Sequence, residues 1–273
     1  MINSSIELFL DFFKDQPEST SFASGRVNLI GDHTDYNSGF VMPTPLSLGI
    51  EVSLKSTQTS LIQGKTKLFG ESQRQINAKT DGTWLDFVKG AISVFYEEFP
   101  NCSKSLGKGI QLVVSSNLPS SSGVSSSAAL EIALLRAINK IENQNLSQIK
   151  LAKLAQKIEH NFIGTKCGLM DQMVASSGVM NKAMYFDVLN EKIVNLPLFN
   201  DYEFLVIHSG SQRTLSNSLY NKRRQECEEA SKLLNIQNLR EANHQMLNKL
   251  NGKLLNRTKH VISENERVIT CLE

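Results

Sequence analysis

Three groups of side chains carry the types that chemistry needs. The first is Pro119-Ser-Ser-Ser-Gly-Val-Ser-Ser-Ser-Ala-Ala-Leu-Glu131. An alternating stretch, Ile110 to Ser115, precedes it and a long apolar run follows, so the pattern predicts a strand, a turn of small residues and a buried helix from about Ser125 to Asn139. A junction of this kind presents unpaired backbone N–H groups at the positive end of a helix dipole, with hydroxyls beside them and little bulk to keep an anion away. That is a seat for phosphate; the bland alternative is a serine-rich turn that caps a core helix. No Gly-Lys-Ser/Thr follows the glycine, so it is not a Walker loop. Gly123-x-Ser125-x-Ser127 lacks the second glycine of a nucleophile elbow, which leaves a serine hydrolase built on Ser125 or Ser127 with His33 unsupported.

The second group is Arg26, Asn28, Asp32, His33, Asp35 and Tyr36, a dense set of donors and acceptors beside a short predicted strand at Val27, Leu29 and Ile30. Sugar hydroxyls need such paired partners, although Asp and Asn also do turn work in a solvated hairpin. The third lies further on. Glu159 and His160 fall in the last turn of a predicted helix, where a carboxylate meets the negative end of the dipole and invites a cation or metal. Asp171, in Cys167-Gly-Leu-Met-Asp-Gln172, stands in an apolar setting as a helix cap or a general base.

The elements that must hold these groups follow from periodicity. Ile6, Phe9, Leu10 and Phe13 have helical spacing, and Phe40 to Leu54 alternates as a strand with Pro43 and Pro45 near its start. Residues 56–80 read as strands and turns near a surface. Asp81 is positioned to cap a helix through Trp84, Phe87, Val88, Ala91, Ile92 and Phe95, with the tryptophan in the core. Ser147 caps the next helix, with Leu151, Leu154, Ala155, Ile158 and Phe162 as its stripe and Gly164 at its end. Strands are predicted at Met184 to Val188, Ile193 to Leu196 and Glu203 to His208; helices at Thr214 to Leu234, Asn238 to Leu250 and Lys259 to Leu272. The best domain boundary lies near Pro197 to Asp201.

Composition narrows the partners. With 273 residues and 40% hydrophobic side chains the chain can bury one large core or two ordinary ones. The 29 basic and 27 acidic residues nearly balance, which argues against a nucleic-acid arm or a membrane-surface patch and for a small polar partner. Four cysteines without metal-ligand spacing read as reduced thiols in a cytoplasmic protein, and no apolar run approaches membrane-spanning length.

Three stretches, in order, resemble one family. Gly25-Arg-Val-Asn-Leu-Ile-Gly-Asp-His-Thr-Asp-Tyr-Asn37 is similar to the galactokinase signature, Pro119 to Leu130 to the phosphate motif of the GHMP kinase superfamily, and Cys167 to Gln172 to the galactokinase segment that bears the catalytic aspartate. Local likenesses at Trp84 to Gly90, Glu159-His160, Tyr220 to Glu228 and His260 to Arg267 keep the same order. The resemblance implies an α+β GHMP kinase fold: an N-terminal ribosomal-protein-S5-like domain over residues 1–197 and an incomplete C-terminal ferredoxin-like domain over 198–273. It implies a monomer that uses ATP and Mg²⁺ to phosphorylate galactose at C1. Asp171 would be the base and Arg26 its cationic neighbour. Asp32, His33, Asp35, Gly168 and Tyr220 would contact the sugar. Ser121, Ser122, Gly123, Val124, Ser125, Ser126 and Ser127 would wrap the nucleotide phosphates, with Trp84 near the adenine and Ser127 and Glu159 on Mg²⁺.

The chain departs from the family pattern in three places. Asp32 stands where Glu is usual, which shortens a sugar-facing carboxylate by about 1.5 Å, one C–C bond. Ser121 and Ser122 occupy usual glycine positions, where any need for positive φ costs about 1 kcal/mol. The family's second glycine-rich motif, near its C-terminus, has no counterpart before Glu273. Two other readings follow from these departures: a kinase for another hexose or sugar acid, and a truncated galactose-binding protein without turnover.

Overall fold

The computed structural model describes residues 4–119, 122–198, 201, 204–208, 210 and 219–272. Its organising element is a long antiparallel pair, β1 (Ser19–Ile30) and β2 (Phe40–Ser56). At 17 residues β2 is long enough to serve two neighbours on its other edge. Its first residues pair with β6 (Lys182–Asp187) and its second half with β5 (Ile110–Ser116), both antiparallel. β3 (Leu61–Thr66) runs parallel to β5 and antiparallel to β4 (Gly70–Gln75), and β7 (Lys192–Pro197) flanks β6. The sheet order is β4-β3-β5-β2-β6-β7, with β1 on β2.

A proline cannot donate to a ladder, so two of them in a central strand need an explanation. Pro43 and Pro45 lie between the stretch of β2 that pairs with β6 and the stretch that pairs with β5, where that edge is open. Opposite them β1 slips register between Ser24 and Arg26 and again between Asn28 and Ile30. A bulge bends a strand and re-aims its side chains. Here the first slip sets Gly25 of β1 against Leu46, Ser47 and Leu48, so the extra residues belong to β2 opposite the approach to Arg26, and the second gives β1 one extra residue, Leu29.

Helices α2 (Leu85–Glu98), α3 (Ser126–Ile141), α4 (Gln148–Ile158) and α5 (Met170–Ser177) build the main core with the sheet. The sequence of α3 is apolar nearly all round because the helix is enclosed: every residue from Ala128 to Leu135 is buried. Truncating a side chain such as Leu134 to alanine would cost about 2–5 kcal/mol. The N-terminal helix α1 (Ser5–Phe13) carries a full capping box from Ser4 and Glu7 and buries Phe9. Helices α6 (Leu219–Leu234) and α7 (Gly252–Thr270) pack on each other around Cys227, Ala230, Leu234, Leu239, Leu250 and Val261. All four cysteines are free, and no helix among the described residues is long and apolar enough to cross a membrane.

Several expectations change. The strand that carries Arg26 is 12 residues long, and its first half escaped the reading because Ser19, Thr20, Ser21, Ala23, Ser24 and Gly25 are small or polar and show no apolar alternation. Asp81 does not cap α2; it accepts from the Thr83 amide and hydroxyl, while Asp86 gathers the amides of Asp81 and Gly82. Ser147 caps α4 as expected, accepting from the Lys150 amide. The span from Asn238 to Leu250 forms two short 3-10 segments, Leu239–Glu241 and His244–Lys249, because Asn238 and Asn243 turn their side chains onto the following amides. Residues 204–208 form no strand, and Glu203 lies outside the described residues, as do 214–218 of the helix expected from Thr214.

Candidate active site

The site is built where three segments converge. Arg26, just past the first register slip of β1, reaches Asp171 in the first turn of α5 with two parallel bonds, Nε to Oδ1 at 2.8 Å and Nη2 to Oδ2 at 2.6 Å. A fork-to-fork pair fixes direction as well as distance, which a lysine could not do. Asp171 makes no cap bond to its own helix. The pair is wired to the serine-rich turn: Arg26 Nη1 donates to the Gly123 carbonyl at 2.9 Å, the Arg26 amide to the Val124 carbonyl at 3.1 Å, and the Ser125 hydroxyl to Asp171 Oδ2 at 2.6 Å. A Cβ on Gly25 would stand 2.7 Å from the Val124 carbonyl, so only glycine lets β1 and the turn approach so closely.

The turn itself departs from expectation. Among the described residues of the turn positive φ falls on Gly123 and Ser125, and the Ser122 hydroxyl donates to the Pro119 carbonyl at 2.7 Å. Ser121 lies outside the described residues. Val124 is buried, Ser126 is exposed, and Ser125 to Ser127 lead into α3 with no side-chain cap on its first amides.

On the other side of Asp171 lies the polar loop of residues 31–39. Asp35 is buried and accepts from the Tyr36 amide at 2.9 Å and the Met170 amide at 3.4 Å. Burial, and after it the charge of Asp171, pushes its pKa up to about 6. A Cβ on Gly168 would lie 1.9 Å from Asp35 Oδ2, which is the physical reason for a glycine there. The Gly168 amide in turn donates to the Tyr220 hydroxyl at 3.4 Å. His33 sits in the left-handed region, at φ 61°, with its ring 5.6 Å from that of Tyr220. Arg223 Nη1 donates to its Nε2 at 3.0 Å, so the ring is neutral and carries its proton on Nδ1, which faces the Tyr36 hydroxyl at 2.9 Å. Burial, then the Arg223 charge, lowers the His33 pKa. Asp32 is exposed, with Asn28 Nδ2 donating to its Oδ1 at 3.2 Å.

Glu159 begins a wide π-type turn, Glu159–Ile163, that ends at Gly164 with φ 83°. It is buried, and its Oε2 has no hydrogen-bond partner among the described residues. Burial raises its pKa; the Ser127 hydroxyl alongside opposes that. Magnesium characteristically takes one or two carboxylates and completes its shell with water and substrate phosphates. An orphaned carboxylate oxygen beside a serine hydroxyl fits such a demand, and among the described residues no cluster of three His, Cys, Asp or Glu offers a fuller site. Glu131, fully buried on α3, likewise has no well-formed hydrogen bond to its carboxylate oxygens among the described residues; burial drives its pKa up, and the neighbouring Gln172 side chain opposes that. His160 is occupied by the Cys167 carbonyl at 2.9 Å.

Trp84 stands apart from this cluster. Its ring is buried in the main core against Gly64, and its Nε1 donates to Ser72 Oγ at 3.1 Å, which leaves little of it open to an adenine. The structure also adds residues that motif reading missed. Glu264 on α7 accepts the Gly31 and Asp32 amides at 2.7 and 2.9 Å, Asn265 accepts the Phe40 amide at 2.9 Å, and Arg223 holds His33. The likenesses at Tyr220 to Glu228 and His260 to Arg267 span these residues without singling them out; a further signal was an acid and an amide on the apolar face of α7, beside Val261, Ile262 and Val268.

Known proteins resemble the chain in sequence and in fold. The galactokinase galactose-binding signature matches residues 7–55, and the GHMP kinases N terminal domain matches residues 86–179. A galactokinase of Thermotoga petrophila is 35% identical over 92% of this chain and 70% of its own length. One of Haemophilus influenzae strain PittGG is 33% identical over 100% of this chain and 73% of its own. The crystal structure of Lactococcus lactis galactokinase complexed with galactose superposes with a TM-score of 0.85 at 28% identity, covering 96% of this chain and 71% of that one. With its GHMP kinase fold and these relatives, the chain belongs to the galactokinase family.

Proposed function

We propose that the chain transfers the γ-phosphoryl group of ATP to the C1 hydroxyl of galactose. The observation that supports this best is the Arg26–Asp171 pair, hydrogen-bonded to a serine-rich helix entry on one side and adjoining the polar 31–39 loop on the other. Phosphoryl transfer passes through a loose transition state, so positioning and charge stabilisation do most of the work. Asp171 accepts the hydrogen bond of the C1 hydroxyl and takes its proton as the O–P bond forms and ADP leaves. Arg26 orients Asp171 and steadies the charge that develops on the phosphoryl oxygens.

Asp35, the Gly168 amide, Tyr220 and the His33 segment surround the sugar, with Asp32 at the rim. Residues 121–127 wrap the phosphates, the α3 amides among them. Ser127 and Glu159 would hold Mg²⁺, which when bound neutralises phosphate charge and orients the γ-phosphoryl group. In this reading residues 1–197 and 198–273 are two domains, and the enzyme works as a cytoplasmic monomer. The shorter carboxylate at Asp32 favours a second reading, a different hexose or sugar acid as acceptor.

A coupled ADP-release assay over a panel of sugars tests both. We expect turnover with galactose and a loss of about 100-fold or more in kcat for Asp171→Asn. Full activity in that variant would sink the assignment of the base; preference for another sugar would establish the second reading.

A further inference from the structure

Ser125 breaks a local rule at the entry of α3. A serine at that position ordinarily adopts an extended backbone and turns its hydroxyl onto the amide of the second or third helical residue. Ser125 is left-handed instead, with φ 61° and ψ 46°, and makes no cap bond. That conformation is unfavourable for a residue with a Cβ, so something must hold it. Its hydroxyl donates to Asp171 Oδ2 at 2.6 Å. The two residues before it are tied to the other half of the catalytic pair, through the Gly123 and Val124 carbonyls that accept from Arg26. The turn therefore grips Asp171 and Arg26 at once. Two consequences follow. Oδ2 receives donors from both Arg26 Nη2 and Ser125 Oγ, which fixes the rotation of the carboxylate. The first amides of α3, left without a side-chain cap, stay open to an anion.

We propose that Ser125 is a positioning residue for phosphoryl transfer: its hydroxyl orients the Asp171 carboxylate toward the acceptor hydroxyl, and by turning to Asp171 it leaves the α3 amides to the nucleotide phosphates. The proposal rests on the kinase reading above. It separates Ser125 from the other serines of the turn, because the Ser125 side chain serves the base while its backbone serves the phosphate loop.

Two substitutions distinguish this from a structural role. Ser125→Gly removes the hydroxyl and relieves the left-handed strain, whereas Ser125→Ala removes the hydroxyl and keeps the strain. The expected result is a fall in kcat of about 10- to 100-fold in both, with the KM for ATP within about threefold of wild type. A wild-type kcat in Ser125→Gly would overturn the proposal, since a serine kept only for loop shape is replaced by glycine without loss. A change confined to the KM for ATP would overturn it too, because the hydroxyl would then act on phosphate. A third arm needs no turnover. In a double-mutant cycle on the unfolding midpoint, Ser125→Ala lowers the midpoint in the wild-type background and leaves it unchanged beside Asp171→Ala. Equal lowering in both backgrounds would overturn the contact itself. A chain that shows the coupling but never phosphorylates sugar would contradict the kinase reading, not the contact.

Discussion

Replacing Asp35 with asparagine should make the protein more stable and less able to bind sugar. The carboxyl is buried beside Asp171, and its pKa rises from 3.8 to about 6 on folding. Because the folded value lies above the unfolded one, the group supports the fold fully below pH 3.8, and that support disappears as pH climbs through about 6. A shift of about two units corresponds to about 3 kcal/mol, the amount by which ionised Asp35 burdens the native state near neutrality. Asparagine keeps an acceptor for the Tyr36 amide but turns a donor toward the Met170 amide, which takes back part of the gain. We expect a net stabilisation of about 1–2 kcal/mol at pH 7.5, read as a rise of about 2–8 °C in the unfolding midpoint that vanishes near pH 4. Galactose binding, measured by calorimetry at the same pH, should weaken about 10- to 100-fold, because hydrogen bonds to a charged acceptor are the stronger ones. A midpoint difference between Asp35→Asn and wild type that does not change between pH 4 and pH 7.5 would refute the reasoning.

Other consequences are equally direct. Gly168→Ala puts a methyl carbon 1.9 Å from Asp35 Oδ2, so the loop or α5 must shift, and the KM for galactose should rise about 100-fold or more with the KM for ATP little changed. Glu264→Ala leaves the Gly31 and Asp32 amides without their acceptor and should cost about 2–4 kcal/mol in chemical denaturation. Burial raises the Glu264 pKa, but those amides and Arg267 bring it below the ordinary value of 4.5, so this support is present above that value and fades as pH falls. The difference between variant and wild type should shrink in acid. Glu159→Gln should weaken Mn²⁺ binding, followed by electron paramagnetic resonance with ATP present, about tenfold or more; unchanged affinity would remove Glu159 from the metal site.

Much of the fold was legible because its signals are local. The small-residue turn before α3, the Ser147 cap and the paired glycine and aspartate at 168 and 171 depend on neighbours within a few positions. The remainder depends on partners far along the chain. Arg223 meets His33 across 190 residues and Glu264 meets Gly31 across 233, and no periodicity announces either. The first half of β1 was hidden by its small and polar side chains, and near its end the extra residue Leu29 inverts the alternation that marks a strand. Two asparagines broke an apparent helix at 238–250 into 3-10 turns by competing for its amides. In the serine-rich turn the strained serine among the described residues is Ser125, three positions beyond Ser122, and Ser121 lies outside them.

The central claim is the chemistry at C1, and ³¹P NMR of the full chain with ATP, Mg²⁺ and galactose tests it most directly. The account predicts loss of the γ-phosphate resonances of ATP, appearance of ADP and one sugar-phosphate signal coupled to the anomeric proton, all abolished with Asp171→Ala. ATP that stays intact with galactose present, or phosphate on any other hydroxyl, would contradict it.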